Sequence, residues 1–174
     1  MAEQRPPQLP PRFDDIAEEF LRIVADTVIC TTSTVDRRGR PRSRMLHPVF
    51  TVNAGQPVGW ALTSRASAKA RDLAQQPYAC CSYWNPHQDV AIVDCRTAWV
   101  TDEAEKATVW DLFRDTPTPL GWGPEAMTAY GTSRWHNPLF TPLRLDPWRI
   151  RIVAGTEYPR GDLAGQVWQR SATP

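Results

Sequence analysis

The segment Thr63-Ser64-Arg65-Ala66-Ser67-Ala68-Lys69-Ala70-Arg71 gathers hydroxyls and cations directly after a short apolar run, Val58 to Leu62. A strand that breaks into such residues and resumes as a helix suits an oxyanion. The first turn of a helix leaves backbone N–H groups free at the positive end of its dipole, and the side chains add further donors. Upstream, Arg40-Pro41-Arg42-Ser43-Arg44-Met45-Leu46 places another cation, Arg44, at the start of an apolar strand. Arginine offers phosphate a planar fork with two parallel hydrogen bonds, whereas lysine acts as a point charge on a flexible stem. Arg44 and Lys69, with Thr63, Ser64 and Ser67, therefore form a candidate clamp for a phosphomonoester. The same pattern also describes an ordinary N-cap with a solvated first turn, and the local sequence leaves both readings open.

The elements that must position these residues follow from periodicity. Arg12 to Ala25 carries Phe13, Ile16, Ala17, Phe20, Leu21 and Val24 at helical spacing, with acids and arginines between them. Thr27 to Val35 reads as a strand, Asp36 to Pro41 as a turn and Ser43 to Val52 as the returning strand. Val58 to Leu62 is a third strand and Ser67 to Gln75 a short helix closed by Pro77, so the clamp lies between strand and helix. Tyr78 to Trp84 and Val90 to Val100 are further strands, and Asp102 with Glu105 opens a helix through Phe113. Thr116 to Thr141 is irregular and dense in Pro, Gly and Trp, as expected of a lid, an interface arm or a concealed short helix. Leu143 to Val153 is the last strand. The domain boundaries read as a proline-rich arm over 1–11, one domain over 12–155 and a polar tail over 156–174. Mostly antiparallel strands with peripheral helices predict a small β-barrel, mainly β in an α+β arrangement.

Composition narrows the function classes. The 174 residues are enough for one domain with its own core. With 20 Lys+Arg against 19 Asp+Glu, the net charge of +1 gives no general attraction to nucleic acid or an anionic membrane, so an anion site must be local. No apolar run reaches the roughly 20 residues that span a bilayer. Met1 to Arg12 lacks the apolar centre of a signal peptide, and a cytoplasmic protein is expected. Cys30, Cys80, Cys81 and Cys95 lie in strand-like runs without C-x-x-C spacing, and His47, His87 and His136 are scattered. The cysteines read as small buried hydrophobes, and no metal site is predicted. Neither a dinucleotide fingerprint nor a P-loop is present. Trp84, Trp99, Trp110, Trp122, Trp135 and Trp148 suit a pocket or subunit interface as well as a core.

Taken in order, Gly39-x-Pro41-x-Ser43-Arg44-Met45, Thr63-x-x-x-Ser67-x-Lys69-x-x-x-Leu73 and Pro77 leading to Tyr83-Trp84 resemble the pyridoxamine 5′-phosphate oxidase-like flavin-binding split barrels. The resemblance spans about Arg12 to Ala154. It implies an FMN-binding split β-barrel with peripheral helices and a homodimer whose flavin lies between subunits. Arg44 and Lys69 would hold the FMN phosphate, and Thr63, Ser64 and Ser67 would donate hydroxyls. Met45 and Leu46 would line the ring system through their backbone, and tryptophans from the partner's loop after Asp115 would cover it. His47 or Arg65 would be the cation near the flavin N1. The strand after Arg44 reads Met45-Leu46-His47-Pro48-Val49, where the namesake oxidases carry aliphatics ending in lysine. Of the C-terminal motif that grips pyridoxal phosphate, only Arg149 has a counterpart. The resemblance therefore does not extend to vitamin B6 oxidation.

What the resemblance implies is an FMN-dependent oxidoreductase acting on a small, flat or aromatic molecule. Such an enzyme needs little acid–base machinery of its own, because the hydride chemistry belongs to the cofactor. A deazaflavin coenzyme is the alternative within that class, and a long basic groove for its polyglutamate tail would favour it. A non-catalytic flavin- or haem-binding protein and a cofactor-free interaction domain are the readings from other classes.

Overall fold

The structure, a computed structural model, describes residues 12–161 and 163–171. The proline-rich arm expected over 1–11 lies outside the described residues. A 3-10 turn (Phe13–Asp15) leads into α1 (Ala17–Thr27), followed by β1 (Cys30–Val35), β2 (Pro41–Leu46), β3 (Pro48–Asn53) and β4 (Gln56–Leu62). Then come α2 (Ala68–Leu73), β5 (Tyr78–Trp84), β6 (Val90–Trp99), α3 (Glu103–Asp115), β7 (Pro142–Val153) and β8 (Gln166–Gln169). Every strand pairing is antiparallel, in the order β2-β1-β5-β6-β7-β4-β3, with β8 also on β7. Among the described residues no helix is long and apolar enough to cross a membrane.

The strand expected from Ser43 to Val52 is in fact two. β2 pairs with β1 and β3 with β4, and only His47 lies between them. In a flat sheet at about 4.8 Å per strand the two would lie about 29 Å apart. One intervening residue reaches about 7 Å, so the sheet has to curl until its ends meet without pairing. The result is a split barrel.

The barrel interior is filled by Phe50, Cys81, Tyr83, Val93, Cys95, Leu145 and Ile150, with α1 laid against it through Phe20, Ile23 and Val24. Phe20 meets the Phe50 ring edge to face at 5.3 Å. Gly59 lies opposite Phe50 in the β3–β4 ladder, and a Cβ there would come within 2.6 Å of that ring, so glycine makes room for it. Cys30, Cys81 and Cys95 are buried as expected, whereas Cys80 faces outward and is half-buried.

A second cluster forms on α3, whose N-cap Asp102 accepts the Glu105 amide at 2.8 Å. Much of the irregular Trp-rich segment folds as 3-10 turns (Pro124–Ala126 and Thr128–His136) against this helix. Trp110 is buried among Tyr130, Phe140 and Trp135 at ring distances of 5.9, 5.2 and 6.5 Å, and Phe113 meets Trp122 at 5.8 Å. Trp110, Trp122 and Trp135 therefore serve the core of this subunit, while Trp84 and Trp148 are exposed.

The segment expected as a polar tail from 156 carries β8, whose pairing with β7 brings Trp168 into the barrel core against Phe13 at 5.5 Å. Removing that side chain leaves a cavity that the sheet cannot collapse, so Trp168→Ala is expected to cost about 3–5 kcal/mol, read as a lowered urea midpoint.

Candidate functional site

The clamp residues come from β2, the β4–α2 connection and α2. Residues directly opposite in an antiparallel ladder share a face, so Arg42 and Arg44 lie on the same face of the β1–β2 hairpin as Thr34 and Thr32, their partners on β1. Beneath α2, the Arg44 guanidinium donates to Thr34 Oγ1 at 2.7 Å and reaches Asp72 Oδ2 at 3.4 Å. The Thr34 hydroxyl donates to the same Asp72 oxygen at 2.9 Å. Asp72 and Thr34 are both buried, so a buried carboxylate and hydroxyl fix the direction of the arginine.

Lys69 is 8 % exposed, and its ammonium donates to Ser67 Oγ at 3.0 Å. Unlike Arg44, it has no carboxylate partner among the described residues. Burial pushes its pKa below the ordinary lysine value, and the nearby Arg44 charge pushes in the same direction. Two cations held close, one of them buried and unneutralised, is the electrostatics that a dianionic phosphate would complete.

The helix itself contributes little, since α2 spans only six residues. Nor does Ser67 cap it in the ordinary way. Its hydroxyl donates to the Ser64 carbonyl at 2.7 Å and accepts from Lys69. Ser64 Oγ accepts the Ala66 amide at 3.1 Å, and the Thr63 carbonyl accepts the Thr141 hydroxyl at 2.8 Å. Thr63, Ser64 and Ser67 thus form a self-bonded connection that holds Lys69 in place.

Met45 and Leu46 point to opposite faces of β2. Met45 is exposed on the outside, with Thr31 donating to its sulfur at 3.7 Å, while Leu46 packs on the barrel core. Because β2 ends the strand order, its outer edge leaves backbone groups without a ladder partner, and those groups are the ones a ligand running along it would meet. His47 donates from Nε2 to the Leu120 carbonyl at 2.6 Å, which ties the barrel split to the loop after α3. The Arg65 guanidinium lies 5.3 Å over the Trp99 ring, and Arg149 pairs with Asp94 at 3.2 Å. Sequence reasoning missed Thr34 and Asp72. The signal for Thr34 was available in the alternation Cys30-Thr32-Thr34, which sets hydroxyls at inward positions.

Residues 16–118 match the family described as pyridoxamine 5′-phosphate oxidase. The chain belongs to that family. The matched region contains both cations of the clamp and stops before most of the Trp-rich segment. No curated protein matches the chain in sequence. Solved structures of the same fold include a pyridoxinephosphate oxidase family protein from Clostridium acetobutylicum related to general stress protein 26 of B. subtilis. It is 12% identical with a TM-score of 0.63, over 90% of this chain and 95% of that one. A pyridoxamine 5′-phosphate oxidase-related, FMN-binding protein from Nostoc punctiforme is 17% identical at a TM-score of 0.55, over 97% of this chain and all of the other. A candidate 5-nitroimidazole antibiotic resistance protein from Bacteroides thetaiotaomicron is 12% identical at 0.59, over 76% and 80% of the two chains. At these identities the likeness to the solved structures is one of fold, and it agrees with the family's split barrel.

Two substitutions separate the roles of the buried charges in ligand-free protein. Asp72→Ala leaves the Thr34 hydroxyl and Arg44 without their acceptor and is expected to destabilise by about 1–3 kcal/mol. Lys69→Met is expected to raise Tm by about 2–4 °C, as roughly 1 kcal/mol does in a domain this size. The sign follows from the depressed folded-state pKa of Lys69: its penalty is full while the ammonium is charged in both states and is relieved as pH climbs through the folded value. The gain from Lys69→Met therefore shrinks toward the ordinary lysine value of 10.5, which thermal unfolding at several pH values measures.

Proposed function

We propose that this protein is an FMN-dependent oxidoreductase acting on a small molecule, with the FMN phosphate held by Arg44 and Lys69. The observation that carries this reading is the buried, carboxylate-free ammonium of Lys69 beside an arginine already oriented by Thr34 and Asp72. Thr63 and Ser64 lie on the β4–α2 connection that leads to Lys69, and their hydroxyls would serve as further donors. The Ser67 hydroxyl would exchange its bond to the Ser64 carbonyl for one to phosphate. Family membership and the FMN-binding relative from Nostoc punctiforme support the same cofactor.

When bound, FMN would supply the hydride chemistry, which accounts for a site without an acid–base dyad. The protein's part is to bind and orient. Arg44 gives directional hydrogen bonds, Lys69 gives charge, and the Met45–Leu46 backbone offers its unpaired edge. Neither His47 nor Arg65 is a strong candidate for a charge near the ring, because the first serves the Leu120 carbonyl and the second stacks on Trp99.

A second copy of the chain is the proposed cover for the site. Ile29, Val35, Met45, Tyr78 and Trp84 are all exposed, and they fall on and beside the outer face of the neighbouring strands β2, β1 and β5. Several large apolar side chains exposed on one sheet face suit an interface. A deazaflavin coenzyme in place of FMN is the second reading. An arginine-lined concavity next to α2 favours it, since a basic surface would suit an anionic tail.

Absorbance and fluorescence titration with FMN tests the clamp. Wild type is expected to bind, and Arg44→Ala and Lys69→Ala to weaken binding by about tenfold or more each, as charge-assisted hydrogen bonds of this kind do. No binding by wild type would overturn the FMN reading, and the same titration with deazaflavin would test the alternative. Reduction of the bound flavin by NADPH, followed by reoxidation in air, separates an enzyme from a carrier. Light scattering with and without Met45→Asp is expected to show a dimer that the charge disrupts.

A further inference from the structure

The Trp-rich segment between α3 and β7 is fastened to the barrel at both of its ends. Near its start, the Leu120 carbonyl accepts from His47 at 2.6 Å, one residue beyond the strand that carries Arg44. At its end, the Thr141 hydroxyl donates to the Thr63 carbonyl at 2.8 Å, on the connection that leads to Lys69. Each tie thus meets the chain close to one cation of the clamp. The family match stops at residue 118, so the segment's half of each tie lies outside it.

The place of Thr141 is set by its neighbour. Phe140 is wholly buried, with its ring 5.2 Å from that of Trp110 and 5.5 Å from that of Tyr130, and its amide donates to the Asn137 carbonyl at 2.9 Å. On the other side, the β4–β7 ladder ends at Leu62 and Pro142, and proline brings no amide to it. The bond past the last ladder pair comes instead from a side chain, the Thr141 hydroxyl. It acts on a peptide group whose direction matters. In a planar trans peptide the carbonyl and the following amide point opposite ways, so turning the Thr63 carbonyl toward Thr141 turns the Ser64 amide away from it. Among the described residues the Ser64 amide has no hydrogen-bond partner. Those of Ala66 and Ser67 are already taken, by the Ser64 hydroxyl at 3.1 Å and the Ser64 carbonyl at 3.2 Å.

We propose that Thr141 is a positioning residue for the clamp, holding the Thr63–Ser64 peptide in the orientation that leaves the Ser64 amide free to donate to a phosphate oxygen. The proposal rests on the reading of Arg44 and Lys69 as a phosphate clamp. Without the hydroxyl the peptide plane is free to turn, and affinity falls with the fraction of molecules in the competent orientation. The ring cluster around Trp110 thereby has a part in binding, because it seats Phe140 and so places Thr141.

Amide-resolved NMR titration of the full chain with FMN and, separately, with inorganic phosphate tests this. With either probe the Ser64 amide proton is expected to move downfield toward saturation. Thr141→Val keeps the side-chain shape and removes the hydroxyl. It is expected to weaken both probes by about tenfold, as the loss of one hydrogen bond to a charged group does. Its Tm is expected to stay within about 4 °C of wild type, and Thr141→Ser to restore wild-type affinity. Phosphate binding that moves the Ser64 amide without any binding of FMN would overturn the flavin reading and leave the role of Thr141 standing. FMN binding unaffected by Thr141→Val, or a Ser64 amide that does not move at saturation, would overturn that role and leave the clamp standing. Weakening that Thr141→Ser fails to restore would reduce Thr141 to a packing residue. No binding of either probe would overturn both readings.

Discussion

The one-residue link at His47 is the constraint on which the rest of the barrel depends. Because β2 and β3 stand at opposite ends of the strand order but are adjacent in the chain, the sheet must bend back on itself, and that bend creates the interior which α1, Phe50 and Trp168 then fill. The link also leaves two unpaired edges facing each other across the split. The loop after α3 is tied to the link itself by the His47 bond to Leu120. β2 keeps its outer edge open, and the clamp cation Arg44 lies on that strand.

Around that open edge the molecule concentrates cationic side chains. Asp36 and Asp72 are each bound to several donors, and their task is to aim arginines, through a hairpin turn in one case and through a buried hydroxyl in the other. Lys69 is left without an acid and pays in stability for a position that only an anion improves. Such local sacrifice of stability is common where a binding surface must be ready before its ligand arrives. The arginines of the concavity lie in water, where each costs less, and so their number can grow without threatening the fold.

Much of this was legible in the sequence because residue type carried it. The periodicity of Phe13 to Val24 announced α1, and the alternation of Tyr78 to Trp84 announced β5 to the residue. Arg44 and Lys69 stood out by kind and by position at element boundaries. Asp72 did not, since three residues after Lys69 it looks like a routine partner on a solvated helix, and only the docking of α2 over β1 buries it and turns it toward Arg44. The break at His47 was hidden because strand propensity continues through Val49 and Phe50, and a change of pairing partner is a tertiary event. Gln166-Val167-Trp168-Gln169 is too short to show a period, and the Trp-rich segment folds by ring packing on α3 and not by any repeat of its own.

The length of β7 has a consequence for how the protein is made. Its twelve residues bind β6 along one side, and on the other they bind β4 at one end and β8 at the other. Everything translated before Pro142 therefore leaves the ribosome as two unjoined pieces of sheet, each with an open edge along which strands of another chain could add. Closure waits for a late segment whose partners lie far back in sequence, as Gly59 does from its ladder partner Leu145. Such distant pairings are slow to form. The nascent barrel is thus exposed to aggregation until β7 emerges, and chaperone protection matters most in that interval.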